Sequence, residues 1–221
     1  MIAPPTQVLK LSPHERPRLT VVVDTEEEFD WTRPASRLAT AVAHMADIGR
    51  LQSIFEEHSL CPTYVIDYPI ASQRESIEPL RDFQRRGRAL IGAHLHTWVS
   101  PPFAEADLTA GGTYQCNLPP GAERAKLQAL TGRIAESFAS PPVIFKAGRY
   151  GIGESTQQIL EDLGYHTDLS PAPPHDFTSD GGPDFSRWTA HPYWFGKSRR
   201  LLCLPRTGAF VGWMGPWMRV A

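Results

Sequence analysis

The segment Leu19-Thr20-Val21-Val22-Val23 is a short apolar and β-branched run, and Asp24 follows it directly. A continuous run of this length is typical of a strand that is buried on both faces, as in a parallel sheet. Further extended segments are predicted at residues 63–66, 89–94, 143–145, 165–168 and 201–204. The run at 19–23 therefore predicts the first strand of a parallel sheet.

Helical segments lie between these predicted strands. Met45, Ile48, Leu51 and Phe55 have helical spacing within residues 41–58, and further helices are predicted over 75–86, 121–138 and 155–163. Strand and helix alternate along the chain, which is typical of βαβ units and of a parallel sheet, either open or closed into a barrel. The segments 97–120 and 171–200 carry many Pro and Gly residues and are predicted to be loops.

The composition fits one globular domain. The chain has 221 residues, of which 41% are hydrophobic and 21% charged, and an α/β domain of this length need not split. Residues 1–18 are Pro-rich and polar and are predicted to form an irregular N-terminal arm. Residues 19–221 are predicted to form the single domain.

The charge and the N-terminal sequence indicate which partners to expect. The formal net charge of -2 gives no basic footprint for nucleic acid or for an anionic membrane. Residues 1–5 do not begin a basic and then apolar leader, and no apolar run reaches the roughly 18 residues of a membrane span. We therefore expect a cytoplasmic protein without a nucleic-acid or membrane partner. Its oligomeric state cannot be read from these patterns.

Two histidines follow the third predicted strand, as His94-Leu95-His96. Residues i and i+2 of an extended segment point to the same side, so both imidazoles can reach one ion. Two imidazoles and a carboxylate suit zinc or another divalent transition metal with one position left open. The alternative for an isolated pair is one buried structural histidine and one surface histidine. The nearby acidic motif favours the metal site.

Asp24 and Glu26 form a second i, i+2 pair, at the end of the first predicted strand. One carboxylate can bind a metal while the other serves as a base. The spacing permits either order of these two roles. The following Glu27 and Glu28 are more simply interpreted as part of a solvated acidic turn.

The fourth predicted strand is followed by Lys146, Arg149 and Tyr150. The carboxyl ends of parallel strands carry the working residues of such folds, so these side chains are expected near the acids and histidines. The cations could neutralise the base or hold a substrate oxygen, although plain surface charge is the commoner fate of Lys and Arg. The turn Tyr150-Gly151 could present a backbone N–H to an oxyanion, or be an ordinary glycine turn.

Four segments, in this order, resemble the motifs of the NodB-homology polysaccharide deacetylases (carbohydrate esterase family 4). They are Val21–Glu26, Ile91–His94, Phe145–Gly151 and Gly164–Asp168. The likeness runs from about residue 19 to residue 204. Residues 62–69 and 192–194 resemble the WalW-like branch of the family in particular. The resemblance implies a distorted (β/α)7-type barrel.

The resemblance also implies a set of site residues. It places a divalent metal, with zinc the expected ion, on Glu26, His94 and His96. It implies catalytic roles for Asp24, Arg149 and Tyr150, with Asp24 taking the proton from water. It implies substrate contacts for Lys146, Trp98 and Asp168. The expected substrate is a small molecule or a saccharide.

This sequence departs from the family pattern in several places. The second motif usually has its second histidine four residues after the first, and Trp98 stands there instead. The first motif has Asp-x-Glu rather than adjacent aspartates, and Lys146 replaces the usual Arg. The family's late catalytic histidine has no match, and the chain stops at Ala221, soon after its last predicted strand. We therefore expect a domain that is incomplete at its C-terminus.

These observations predict a metal-dependent hydrolase of non-peptide C–N amide bonds that deacetylates an N-acetylated saccharide. One alternative is hydrolysis of another small amide or a ureide on the same fold. A second alternative is a degenerate, non-catalytic domain that binds glycan or has a structural role. The general acid of the reaction is not identified by the sequence.

Overall fold

The computed structural model describes residues 4–5, 8–10, 12, 14–16, 18–195 and 200–208. Its centre is a seven-stranded sheet in the order β1-β2-β3-β4-β5-β7-β6. The strands are β1 Val22–Thr25, β2 Thr63–Ile66, β3 Leu90–Leu95, β4 Ile144–Ala147, β5 Thr167–Asp168, β6 Tyr193–Phe195 and β7 Leu201–Cys203. The α-helices are α1 Ile48–Glu57, α2 Arg74–Arg85, α3 Pro120–Phe138 and α4 Glu154–Asp162.

The first five strands are parallel and are hydrogen-bonded in chain order. A helix lies between each consecutive pair from β1 to β5. β7 continues the parallel sheet beside β5, and β6 pairs with β7 in the antiparallel sense. The predicted α/β fold with a parallel sheet is confirmed.

The sheet curves strongly. β1 and β4 are separated by two strands in the sheet, yet the Lys146 side chain on β4 forms an ion pair with Asp24 on β1. Side chains on these two strands would lie about 14 Å apart in a flat sheet, because three spacings of about 4.8 Å separate β1 from β4. The carboxyl ends of β1, β3 and β4 therefore converge on a common interior, as in a distorted barrel. Among the described strands, no ladder joins β1 to β6.

The hydrophobic core lies between the sheet and the helices. Leu80 of α2, Leu127 and Leu130 of α3, and Phe145 of β4 are fully buried. The residues predicted from helical spacing in 121–138 thus face the core, and α3 begins only one residue earlier than predicted. No helix in the described ranges combines the length and apolar character that a membrane span requires.

Two predicted elements differ from the observed ones. The first strand was predicted at 19–23, but Leu19 is 76% exposed and β1 runs from Val22 to Thr25, so Asp24 lies within the strand. The segment 171–200 was predicted to be loop, but it contains β6, whose residues Tyr193 and Phe195 are buried. The Pro, Gly and Asp residues around β6 favour a loop prediction, and a strand of only three residues is too short to change it. Residues 209–221 lie outside the described part of the chain.

The loop between β3 and α3 is held in place by a buried cation. The ammonium group of Lys126, on α3, donates to the Asp107 carboxylate at 2.8 Å. Three loop carbonyl oxygens, those of Thr97, Ser100 and Pro102, also lie 2.7–2.9 Å from the ammonium nitrogen, so its three N–H groups are shared among four acceptors. Both charged side chains are 1% exposed. Burial lowers the pKa of Lys126, against the opposing effect of Asp107. A buried ion pair in which the whole ammonium group is surrounded by oxygen acceptors therefore fixes the loop above the sheet. On the Asp107 side Oδ2 accepts the bond from Lys126, while Oδ1 has no hydrogen-bond partner among the described residues.

We predict that Lys126→Met destabilises the fold by about 3–5 kcal/mol, because it leaves Asp107 as an uncompensated buried charge. The free energy of unfolding from urea titration measures this. Arg124→Met is the matched control on the same helix, since Arg124 pairs with Asp162 at the surface. That exposed pair should contribute only about 0–1 kcal/mol. Equal losses in the two variants would contradict the structural role of the buried pair.

Candidate metal centre

The carboxyl ends of β1 and β3 bring three potential metal ligands together. Oε2 of Glu26 lies 3.2 Å from Nε2 of His94 and 3.2 Å from Nε2 of His96. Ligand atoms of these three side chains all lie within 4.8 Å of one another. Two imidazole nitrogens and one carboxylate oxygen form the usual protein ligand set of an open, catalytic zinc site.

His94 is oriented by the backbone of the neighbouring strand. Its Nδ1 lies 3.0 Å from the carbonyl oxygen of Lys146, which is its register partner across β3 and β4. A carbonyl oxygen only accepts, so Nδ1 carries the proton and donates it. Nε2, on the opposite edge of the ring, then faces Glu26 and is available as a metal ligand.

His96 is oriented by Glu27. Nδ1 of His96 lies 2.9 Å from Oε2 of Glu27, and the Trp98 indole N–H donates to the other carboxylate oxygen at 2.8 Å. The backbone N–H of Glu27 donates to Asp67, which follows β2, at 2.7 Å. Glu27 is 2% exposed, so its prediction as part of a solvated turn was wrong. It is the carboxylate that fixes the second histidine of the cluster.

The electrostatics of the cluster favour a bound cation. Burial alone would raise the pKa of Glu26, but the neighbouring His94 and His96 side chains outweigh it and hold the pKa well below its usual range. Burial lowers the pKa of His94. Burial acts in the same direction on His96, but the neighbouring Glu27 and Glu26 raise its pKa to about 10. Two carboxylates thus attract positive charge to this point, and a divalent ion can supply it in place of protons.

Glu27, Asp67 and His96 form a second group with metal-ligand chemistry. All three are buried, and Glu27 is already hydrogen-bonded to each of the other two. Burial and the adjacent Glu27 raise the pKa of Asp67 well above its usual range, while Glu27 keeps a lowered pKa. This second group therefore serves as a hydrogen-bonded support behind the first, which faces an open cavity.

That cavity has a volume of about 160 Å³. Seven of the nine predicted site residues line it: Asp24, Glu26, His94, His96, Lys146, Arg149 and Tyr150. Trp31 and Ala147 complete the lining. The open side of the ligand cluster thus faces a space large enough for a small acyl group and water.

Lys146 and Asp24 form an ion pair inside this cavity. The Lys146 side chain is 9% exposed and the Asp24 side chain 37% exposed. The Lys146 ammonium also lies 4.9 Å from the centroid of the Tyr150 ring, within cation–π range. Asp24 is therefore held beside the three ligands and does not belong to their cluster.

Arg149 and Tyr150 occupy a turn with unusual backbone geometry directly after β4. Their φ angles are 51° and 60°, so two successive non-glycine residues adopt the left-handed conformation. Such residues typically cost about 1–3 kcal/mol each and cluster at functional sites. The preceding Gly148 packs so closely that a Cβ there would lie 2.5 Å from Cδ2 of His96. The start of this turn therefore packs directly against the ring of His96.

Three other positions named by the sequence analysis lie away from the smaller cavity or are already bonded. Trp98, predicted to contact substrate, is buried with its ring stacked 4.3 Å from the His96 ring, and it borders a second cavity, so its contact with substrate stays a prediction. Asp168 was also predicted to contact substrate. It is 1% exposed, is bonded to Ser170, and lies outside the cavity lining, and burial raises its pKa to about 6. The N–H of Gly151 already donates to the Gly148 carbonyl at 3.0 Å and is not free for an oxyanion.

The sequence interpretation missed a second, larger cavity that adjoins the first. It has a volume of about 330 Å³ and shares Trp31 and Arg149 with the first cavity. Its other lining residues are Phe29, Arg33, Pro34, Ala35, Trp98, Leu108, Ala110 and Thr113. Trp31 is 58% exposed. Two aromatic residues so soon after the Asp-x-Glu motif were the available signal for this cavity.

Several solved structures of other proteins are similar to this chain. A Mycobacterium smegmatis protein assigned as a polysaccharide deacetylase matches with a TM-score of 0.55 and 18% identity, over 92% of this chain and 65% of that chain. IcaB from Ammonifex degensii matches with a TM-score of 0.45 and 14% identity, over 68% and 58% of the two chains. The chitin deacetylase of Colletotrichum lindemuthianum matches with a TM-score of 0.44 and 14% identity, over 67% and 54%.

The match to the Mycobacterium protein shows that this chain has the fold of the NodB-like polysaccharide deacetylases. The chain spans less than two thirds of the length of that protein. No protein-family model matches the sequence, and no curated protein matches it either. The more specific likeness to the WalW-like branch stays a prediction.

We predict that Glu27→Gln weakens zinc binding about 10- to 100-fold, the usual effect of removing a group that orients a metal-binding histidine. Isothermal titration with Zn²⁺ measures this. Glu28→Gln is the matched control, because Glu28 is the next residue and accepts from the exposed His44. Wild-type zinc affinity in Glu27→Gln would show that His96 does not depend on this carboxylate for binding.

Proposed function

We propose that this chain is a metal-dependent hydrolase of an amide C–N bond and that it deacetylates an N-acetylated saccharide. The observation that carries the proposal is the cluster of Glu26, His94 and His96. It opens to a cavity that also holds Asp24, a carboxylate outside the ligand set. Metal ligands and a separate base beside one open space are the two components that hydrolysis of an unactivated amide requires.

Glu26, His94 and His96 would hold the metal, and the N₂O ligand set makes zinc the expected ion. When bound, a divalent metal supplies Lewis acidity toward a carbonyl oxygen and makes water easier to deprotonate. The residues fit such an ion because each histidine has its Nδ1 engaged by an acceptor, which leaves both Nε2 atoms facing Glu26.

Asp24 is assigned the role of general base. One of its oxygens is paired with the Lys146 ammonium, and this contact holds the carboxylate in a fixed orientation toward the cavity. The side chain is more exposed than the metal ligands, so water can reach it. The opposite assignment, with Asp24 as ligand and Glu26 as base, is less favourable because Glu26 is the acid that lies 3.2 Å from both histidines.

The saccharide as substrate class is suggested by the Mycobacterium protein with the same fold, which is assigned as a polysaccharide deacetylase. The larger cavity next to the candidate metal centre gives a physical reason to retain this class. Phe29, Trp31 and Trp98 contribute aromatic surface there, and Arg149 links the two cavities. Aromatic rings paired with hydrogen-bonding groups are suited to the apolar faces and hydroxyls of a sugar. The N-acetyl group would lie in the smaller cavity.

The purified protein should bind about one zinc ion per chain, because three ligands on two strand ends suffice for a catalytic site. The double variant His94→Ala/His96→Ala should lose that ion, and mass spectrometry of metal content under native conditions measures it. His44→Ala is the control, since His44 is exposed and lies outside the cluster. Full zinc occupancy in the double variant would overturn the ligand assignment.

We expect Asp24→Asn to keep the zinc and to lower kcat for amide hydrolysis about 10²- to 10⁴-fold, the usual contribution of a positioned base. Metal analysis and steady-state kinetics on N-acetylglucosamine oligomers, run on the same preparation, separate the two effects. An empty site in Asp24→Asn would instead identify Asp24 as a ligand.

A further inference from the structure

Hydrolysis of an amide needs a proton donor as well as a base, because an amine anion is a very poor leaving group. The following inference rests on the proposed function and identifies that donor. The donor must lie in the cavity that holds the scissile bond, within reach of a nitrogen bonded to the reacting carbonyl carbon. The candidates are therefore the proton-bearing side chains among the described residues that line this cavity.

Most of those side chains are excluded as the proton donor, either by their chemistry or because another role is proposed for them. Glu26, His94 and His96 are assigned to the metal, and Asp24 to the water. The Arg149 guanidinium stays protonated under all conditions in proteins, so it cannot give up a proton. Two candidates are left, the ammonium of Lys146 and the hydroxyl of Tyr150.

The Tyr150 hydroxyl is directed to a different set of contacts. It accepts a hydrogen bond from Nη1 of Arg206 at 3.2 Å, and the Tyr150 ring stacks on Phe177 with centroids 5.3 Å apart. Neither Arg206 nor Phe177 lines the cavity. The hydroxyl thus lies toward the outer edge of the site, where its partner is a permanent cation.

The Lys146 ammonium, in contrast, is directed into the cavity toward β1. Its backbone is paired with His94 across β3 and β4, and its side chain reaches Asp24 on β1. The Lys146 backbone is thus paired with one of the ligand histidines, while its ammonium contacts the base. Among the described residues that line the cavity, Lys146 is therefore the proton-bearing group that contacts the base directly and can recover a proton from it.

We propose that Lys146 is the proton donor to the leaving amine. Asp24 takes a proton from the attacking water as the new C–O bond forms. The ammonium of Lys146 then gives one proton to the amide nitrogen as the C–N bond breaks, which yields a neutral amine and a neutral Lys146. The protonated Asp24 returns its proton to Lys146 through the hydrogen bond between them, and this restores both groups. Water and amide are consumed, and acid and amine are formed.

The competing interpretation is that Lys146 only holds Asp24 in position. Two variants separate these roles. Lys146→Arg keeps a cation beside Asp24 but cannot release a proton, whereas Lys146→Met removes both the cation and the proton. Each zinc-loaded variant is assayed on an N-acetylglucosamine oligomer and on 4-nitrophenyl acetate, whose nitrophenolate leaves without protonation. Zinc content and thermal unfolding are measured on the same preparations to show that both variants fold and load metal.

Lys146→Arg is expected to lose about 10²- to 10⁴-fold in kcat on the amide, the usual size of a positioned acid's contribution, with KM little changed. Its hydrolysis of the ester should stay close to that of the wild type. Lys146→Met should be impaired on both substrates, because Asp24 loses its partner. Metal content should be unchanged in both variants, and Tyr150→Phe should not show the selective loss on the amide.

Equal activity of Lys146→Arg and the wild type on the amide would overturn the proposal and leave Lys146 as a positioning residue. Equal losses on amide and ester would also overturn it, since a missing proton donor cannot slow the ester. A selective loss on the amide in Tyr150→Phe would assign the proton to the tyrosine. A wild-type protein that hydrolyses the ester but no N-acetylated saccharide would overturn the proposed function itself, which is a separate result.

Discussion

The buried carboxylate of Glu27 is the constraint on which the candidate site depends. It follows β1 and is hydrogen-bonded to His96 and Trp98 after β3, while the backbone N–H of the same residue donates to Asp67 after β2. A carboxylate that is nearly inaccessible to water is tolerated only when its oxygens accept hydrogen bonds. The two hydrogen bonds that the carboxylate accepts join the ends of β1 and β3, and the backbone bond of Glu27 to Asp67 adds the end of β2. The ligand histidine is fixed by the same contacts that make the buried charge tolerable.

The curvature of the sheet is the second requirement. Asp24 on β1 and Lys146 on β4 are separated by two strands, and they pair only because the sheet curls toward the site. The same curl brings Glu26 to His94. Side chains that the sequence places far apart, at positions 24, 94 and 146, thus form one charged interior. Each position taken separately would be an ordinary polar residue at a strand end.

The sequence was informative where a local pattern determines a local structure. The parallel sheet, α3 and the convergence of strand ends follow from apolar runs, from 3.6-residue spacing and from the topology that such runs permit. The pairing of Asp24 with Lys146 and the burial of Glu27 do not follow, because both depend on how far the sheet curls. Asp168 was assigned to the substrate by its place in a motif, and its burial, which a motif does not reveal, keeps it out of the lining of the smaller cavity. Trp98 borders the larger cavity instead. The strand β6 was missed because three residues are too few to show a period.

The replacement of the expected second histidine by Trp98 is physically linked to the acidic residue at position 27. His96, two residues after His94, faces the same side of the extended chain and brings its Nε2 to Glu26. Its Nδ1 then needs an acceptor in the interior, which Glu27 supplies. One histidine leaves the second oxygen of Glu27 without a donor, and Trp98 donates its indole N–H to that oxygen while stacking on the His96 ring. A histidine at position 98 would be shorter and would give a weaker stacking surface. Glu27, His96 and Trp98 therefore form one unit, in which the tryptophan stabilises the carboxylate that orients the metal-binding histidine.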